Sequence, residues 1–153
     1  FFKQKTAYEI GVRLVGSEMC IRDSSLDAPY WEGLQNNILK LQYCESCGSW
    51  QWGPEWICHH CLSDSLIFRE VKPEGTIYSY ERVWHPVHPA LSEQGAYLIV
   101  LVEIPEADNV RLVGNLVGDP HQTVEIGRSV KGVFEHHAGE EPYSLLNWSF
   151  AQS

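Results

Sequence analysis

The sequence predicts a mainly β protein, with a short N-terminal helix, a small metal-binding ribbon and a C-terminal β-barrel. Three observations predict it. Two Cys-x-x-Cys pairs, Cys44 with Cys47 and Cys58 with Cys61, are separated by a ten-residue loop. Five strand-length runs, punctuated by Gly, Pro, Asn and Asp, follow the turn at Pro73-Glu74-Gly75. No long helical stripe separates those runs, which points to a small closed or partly open barrel.

The elements follow in order. Residues 1–24 show neither a sustained helical stripe nor strand alternation, and strings such as Phe-Phe-Lys-Gln-Lys-Thr-Ala-Tyr-Glu resemble translated sequencing-adapter read-through. They are expected to be a non-native or disordered segment, so Cys20 is not counted as a ligand. Asp27 can cap a short helix with Pro29 in its first turn, and Tyr30, Trp31 and Leu34 share one face. Asn36-Asn37 is a plausible stop, because Asn tolerates the left-handed region. Leu39, Leu41 and Tyr43 then alternate with Lys40 and Gln42, a strand leading into the first cysteine pair.

After the second pair, Leu66 to Val71 runs to a turn signal at Pro73-Glu74-Gly75. Thr76 to Trp84 alternates. Tyr97 to Ile104 is almost wholly apolar, as expected of a strand buried on both faces. Val110 to Val117 ends at Gly118-Asp119-Pro120, Val130 to His136 follows a turn at Gly127, and Tyr143 to Phe150 closes the chain. The expected division is 25–72 for helix and ribbon and 73–153 for the barrel.

The chain has 153 residues, 44% of them hydrophobic, enough for one ordinary domain and a small satellite. No run approaches the roughly 18 apolar residues of a membrane span, and no secretory pattern is visible, so the expectation is a soluble, cytoplasmic protein. Acids outnumber bases 20 to 11 for a net charge of −9. Without the first 24 residues the balance is 17 to 7. That argues against phosphate-backbone binding, which needs a surplus of Lys and Arg.

Each Cys-x-x-Cys knuckle aims two sulfurs at one ion. Four thiolates at Cys44, Cys47, Cys58 and Cys61 would close a tetrahedral shell at about 2.3 Å, leaving no position for water or substrate. The site therefore reads as structural zinc, with rubredoxin-like iron as the competing metal. Gly48 follows the first knuckle, where the turn favours φ > 0. Leu62 stands at the matching place after the second, so that turn should be strained or differently shaped. His59 or His60 replacing a sulfur is a minor alternative.

Other residues are less specific. His85-Pro-Val-His88-Pro reads as a plain loop, and His136-His137 beside Gly139-Glu140-Glu141 as a solvated hairpin tip. No nucleophile elbow, phosphate loop or zinc-hydrolase motif appears, so no catalytic residue is identified. Three of the six tryptophans, Trp50, Trp52 and Trp56, fall between the cysteine pairs. They are either packing between ribbon and barrel or an exposed surface for a partner.

The combination resembles the domain of unknown function 35 family: Tyr30-Trp-Glu-Gly33, Leu39 to Cys44, the two knuckles, Gly75-Thr-Ile-Tyr-Ser79, Tyr97 to Glu103, and Ile126-Gly127 before Val130. The resemblance implies a rubredoxin-like zinc ribbon and an OB-fold barrel, with Cys44, Cys47, Cys58 and Cys61 as ligands. It also implies a non-catalytic scaffold subunit that works with a thiolase, a thiolase-like aldolase or a MaoC-like hydratase and helps position acyl-CoA. Two departures stand out. Glu55 follows Pro54 where the family commonly has arginine, and His59 replaces the usual proline of the second knuckle; the first weakens direct contact with CoA phosphates. A single-stranded nucleic-acid module and an iron electron carrier are the alternatives to that reading.

Overall fold

A computed structural model describes residues 26–85, 95–139 and 142–151. Helix α1 spans Ala28–Gln35, followed by β1 (Leu39–Cys44), β2 (Trp50–Gln51) and β3 (Leu66–Val71). Then come β4 (Glu74–Val83), β5 (Tyr97–Ile104), β6 (Val110–Asn115), β7 (Ser129–His137) and β8 (Tyr143–Phe150), with a 3-10 turn at Pro105–Ala107. Cys20, His88, Glu140 and Glu141 lie outside the described residues.

Two antiparallel sheets result. The ribbon is three-stranded in the order β2-β1-β3, and the barrel five-stranded in the order β6-β5-β4-β7-β8. The barrel is nearly closed where Leu116 bridges Trp148 in parallel and the Val117 N–H donates to the Trp148 carbonyl at 2.7 Å. This five-stranded OB-like architecture is the one predicted.

Asp27 does stand before the helix, yet its side chain makes no cap bond. Its carboxylate instead accepts from the Trp31 indole N–H at 3.0 Å. The stop is as expected: Asn36 is the C-cap, and Asn37 takes φ 59, which its short polar side chain tolerates. Tyr30 and Leu34 are buried, and burial pushes the Tyr30 phenol pKa above its ordinary value.

Three expectations are corrected. β5 is not buried on both faces. Leu98, Val100, Val102 and Ile104 point into the barrel, while Tyr97, Ile99, Leu101 and Glu103 lie on a half-exposed outer face. The central position of a strand secures its backbone pairing but not a covering layer. The turn expected at Pro73-Glu74-Gly75 is confined to its start: the Glu74 N–H donates to the Lys72 carbonyl at 2.8 Å, and Glu74 and Gly75 already pair with Lys131 and Val130. A Cβ at Gly75 would lie 2.2 Å from the Glu103 carbonyl oxygen, so the glycine serves close strand approach. Finally, His136 and His137 are not the tip itself but the last paired residues of its ladder, with His136 exposed and His137 partly buried. They belong to β7, where His136 contacts Ser144 Oγ at 2.7 Å and Asn37 Oδ1 at 3.0 Å, and His137 stacks on Tyr143.

One apolar core joins the parts. Tyr30 and Leu34 from α1, Leu39 and Leu41 from β1 and Val71 from β3 share it with barrel residues such as Val100, Val102, Val130 and Trp148. Trp52 packs at 4.4 Å between ring centroids against Tyr30, pinning the ribbon to the helix. The inner half of the ribbon thus rests on the common core, and its outer half projects from it.

Candidate metal centre

The projecting end of the ribbon brings together all four predicted cysteines. Their Sγ atoms lie within 4.8 Å of one another. Cys44 and Cys61 are 3.6 Å apart, as are Cys47 and Cys58, so the closest sulfurs belong to opposite knuckles. A tetrahedron with Zn–S bonds of about 2.3 Å has edges of about 3.8 Å. The donor set and its spacing therefore fit one tetrahedral thiophilic ion. Among the described residues this is the only such cluster, and His59 and His60, both exposed, are outside it. His85 is also exposed.

The two knuckles repeat one backbone pattern. The Gly48 N–H donates to the Cys44 carbonyl at 2.8 Å and the Leu62 N–H to the Cys58 carbonyl at 2.9 Å. The Cys44 and Cys58 N–H groups donate to the carbonyls of Ser49 and Ser63. The turn therefore closes at the same left-handed residue in each, Gly48 with φ 75 and Leu62 with φ 62. The predicted strain is present at Leu62, and the turn keeps its shape despite it.

The thiols are not electrostatically alike. Hydrogen bonding to Ser49, through side chain and then backbone, holds Cys47 down to about 6. At Cys61 the Ser63 backbone bond lowers the value, but hydrogen bonding with Cys47, burial and the other two cysteines outweigh it and push it up to about 12. Four thiols within touching distance cannot all ionise without a cation among them.

The three ribbon tryptophans differ in burial. Trp50 and Trp52 pack against the core, whereas Trp56 is 68% exposed. Trp56 is joined at the tip by exposed Ile57 and by Leu62, itself 71% exposed. From Trp56 to Ser63 there is no formally charged residue in a chain of net charge −9.

Two residues escape sequence reading. Gln42 and Gln51 are cross-strand partners, 2% and 1% exposed. Gln51 Nε2 donates to Gln42 Oε1 at 2.8 Å. Gln42 exchanges bonds with the backbone of Glu55, Nε2 donating to the carbonyl and Oε1 accepting from the N–H, both at 3.0 Å. Gln51 accepts from the His59 N–H at 3.2 Å and donates, at 3.4 Å, to the Ile57 carbonyl. Alternation along β1 places Gln42 on the polar side with Lys40, so no periodic signal marks it.

Comparison with known proteins agrees with this architecture. Residues 31–66 match the ChsH2 rubredoxin-like zinc ribbon domain, and residues 68–135 match the ChsH2 C-terminal OB-fold domain. A solved structure described as the Ltp2-ChsH2(DUF35) aldolase contains a chain 31% identical in sequence, with a TM-score of 0.70, covering 83% of this chain and 95% of that one. A protein of unknown function from the DUF35 family of Sulfolobus solfataricus, 17% identical with a TM-score of 0.59, shares the fold over 90% of this chain and 98% of its own. A Thermomonospora curvata protein described as "Probable enoyl-CoA hydratase alpha subunit" is 36% identical over 105 residues, 68% of this chain. The match spans about a third (32%) of that relative's length.

Proposed function

The chain belongs to the DUF35 family, with the zinc-ribbon and OB-fold domains of its ChsH2 members, and from that premise we propose that it is a non-catalytic scaffold subunit of an acyl-CoA-processing enzyme complex. Its partner is a thiolase, a thiolase-like aldolase or a MaoC-like hydratase. The relatives described as an aldolase and as a hydratase subunit support that range. The acyl-CoA is held jointly, its phosphates chiefly by the partner, because this chain is acidic and has Glu55 beside the knuckle.

In this reading Cys44, Cys47, Cys58 and Cys61 hold one structural Zn2+. The ion supplies a cross-link for a hairpin too small to have its own core, with no open position for chemistry. Residues 25–72 form the helix-and-ribbon unit and residues 73–153 the barrel. A reducing cytoplasm is the compartment that keeps such thiolates intact. Among the described residues no helix is long and apolar enough to cross a membrane.

The observation that carries the scaffold role is the apolar tip. Leu62 occupies a left-handed turn position that the first knuckle gives to glycine, at a backbone strain of roughly 1–2 kcal/mol. Its side chain, with Trp56 and Ile57, is left in water. Neither feature stabilises this chain alone. Both make sense if a partner's apolar surface covers the tip. The acidic surface makes nucleic acid and anionic lipid poor candidates for that cover.

The test is co-expression of the full chain with the acyl-CoA enzyme encoded beside it. One equivalent of zinc, a retained partner and partner activity that depends on this chain are the expected results. Zinc without a retained partner would leave the fold and defeat the function. One equivalent of iron with visible absorbance would defeat the zinc assignment.

A further inference from the structure

The first knuckle grows out of a strand: Cys44 ends β1 and pairs with Leu66 of β3. The second has no such support. Among the described residues, the backbone of residues 52–57 makes no backbone–backbone hydrogen bond. Cys58 is nonetheless completely buried, with its sulfur 3.6 Å from that of Cys47. Something other than a strand ladder must hold the approach to it.

Gln42 and Gln51 occupy that place. Between them they bond the backbone of residues 55, 57 and 59, alternate positions as a neighbouring strand would. Cys58 lies between the two residues that Gln51 grips. Two primary amides buried in so small a unit would be strongly unfavourable if left unpaired. Five hydrogen bonds, including the one between the two side chains, use both carbonyls and both amino groups. Leucine at either site would keep the side-chain bulk and lose three of the five bonds.

We infer that the Gln42–Gln51 pair is a positioning device. It substitutes for a strand ladder, presets the second knuckle and slows loss of the metal by keeping Cys58 in place when a thiolate dissociates. The consequence for metal retention rests on the metal-binding reading above; the grip on the loop does not.

The test uses the full chain with Gln42→Leu, Gln51→Leu and the double variant, each loaded with zinc. Zinc release to a chromogenic chelator should accelerate about tenfold or more in each single variant, since each removes three of the five hydrogen bonds. The double variant should be less than additive, because the two side chains share a bond. Amide exchange at Glu55 and His59 should accelerate in step while β5 amides stay protected, which a general loss of stability would not produce. Gln51→Met, unbranched like glutamine, removes the same three bonds and serves if the leucine variants do not fold. Wild-type release and exchange rates in folded variants would overturn the inference. If the wild-type chain held no zinc, the metal reading would fail, and exchange at Glu55 and His59 would decide the clamp alone.

Discussion

Leu62 and Gly48 take the same backbone conformation, yet only glycine takes it without strain. Leu62→Gly should therefore stabilise the zinc-loaded chain by about 1 kcal/mol, raising its Tm by roughly 2–4 °C for a chain this size. The same change removes an exposed apolar side chain, so retention of the acyl-CoA partner should weaken. Calorimetry and co-purification would move in opposite directions, and a variant that is both more stable and fully retained would remove Leu62 from the docking surface. Gly75 obeys the opposite logic. A methyl group there meets the Glu103 carbonyl oxygen and the Val102 side chain, so Gly75→Ala should cost about 3 kcal/mol or more. Urea unfolding measures it, and a cost under about 1 kcal/mol would show that β4 and β5 can separate freely.

Among the elements, the ribbon is supported unequally along its length. β1 and β3 insert Leu39, Leu41 and Val71 into the common core, whereas the knuckle end has only its own hydrogen bonds and the four sulfurs. Chelation should therefore raise amide exchange across residues 44–65 and leave β4 to β8 protected. Collapse of the barrel on metal removal would instead make the ribbon an obligatory part of the whole fold. The thiols also predict a pH dependence. Without metal at neutral pH, Cys61, pushed up to about 12, keeps its proton, and Cys47, held down to about 6, is largely ionised. Zinc has to displace protons, so its affinity should rise with pH through neutrality and drop sharply below about 6, where Cys47 also protonates. Chelator competition across that range reads the slope, and a flat profile would exclude thiol ligation.

At the scale of the molecule, charge decides among partners. The barrel does carry cation–aromatic pairs, Arg111 over Tyr78 at 3.5 Å and Arg128 over Phe150 at 3.5 Å, but each arginine is spent on its own chain's ring. Arg111 also pairs with Glu103 at 2.9 Å. A chain of net charge −9 with these two arginines so engaged should give no salt-sensitive shift of a single-stranded oligonucleotide at about 0.1 M salt. Micromolar, salt-dependent binding would revive the nucleic-acid reading at the expense of the scaffold.

The helix, its Asn37 stop, the strand positions and the four-cysteine cluster were all readable in the chain, because each rests on local chemistry: periodicity, φ preference or ligand spacing. Even the strain at Leu62 followed from comparing the two knuckles residue by residue. Whether β5 is covered on its outer face, which tryptophan stays exposed and why Gln42 is buried were decided only by the tertiary structure. Gln42 alternates like a surface residue, and its burial depends on a backbone loop thirteen residues away folding back to accept and donate its hydrogen bonds. His136, though exposed, likewise finds a partner far away in the chain, since its bond to Asn37 joins groups that only the packing of helix against barrel brings together. Periodicity records which side of a strand faces inward, but a buried polar group is specified by its partners, and those come from elsewhere in the chain.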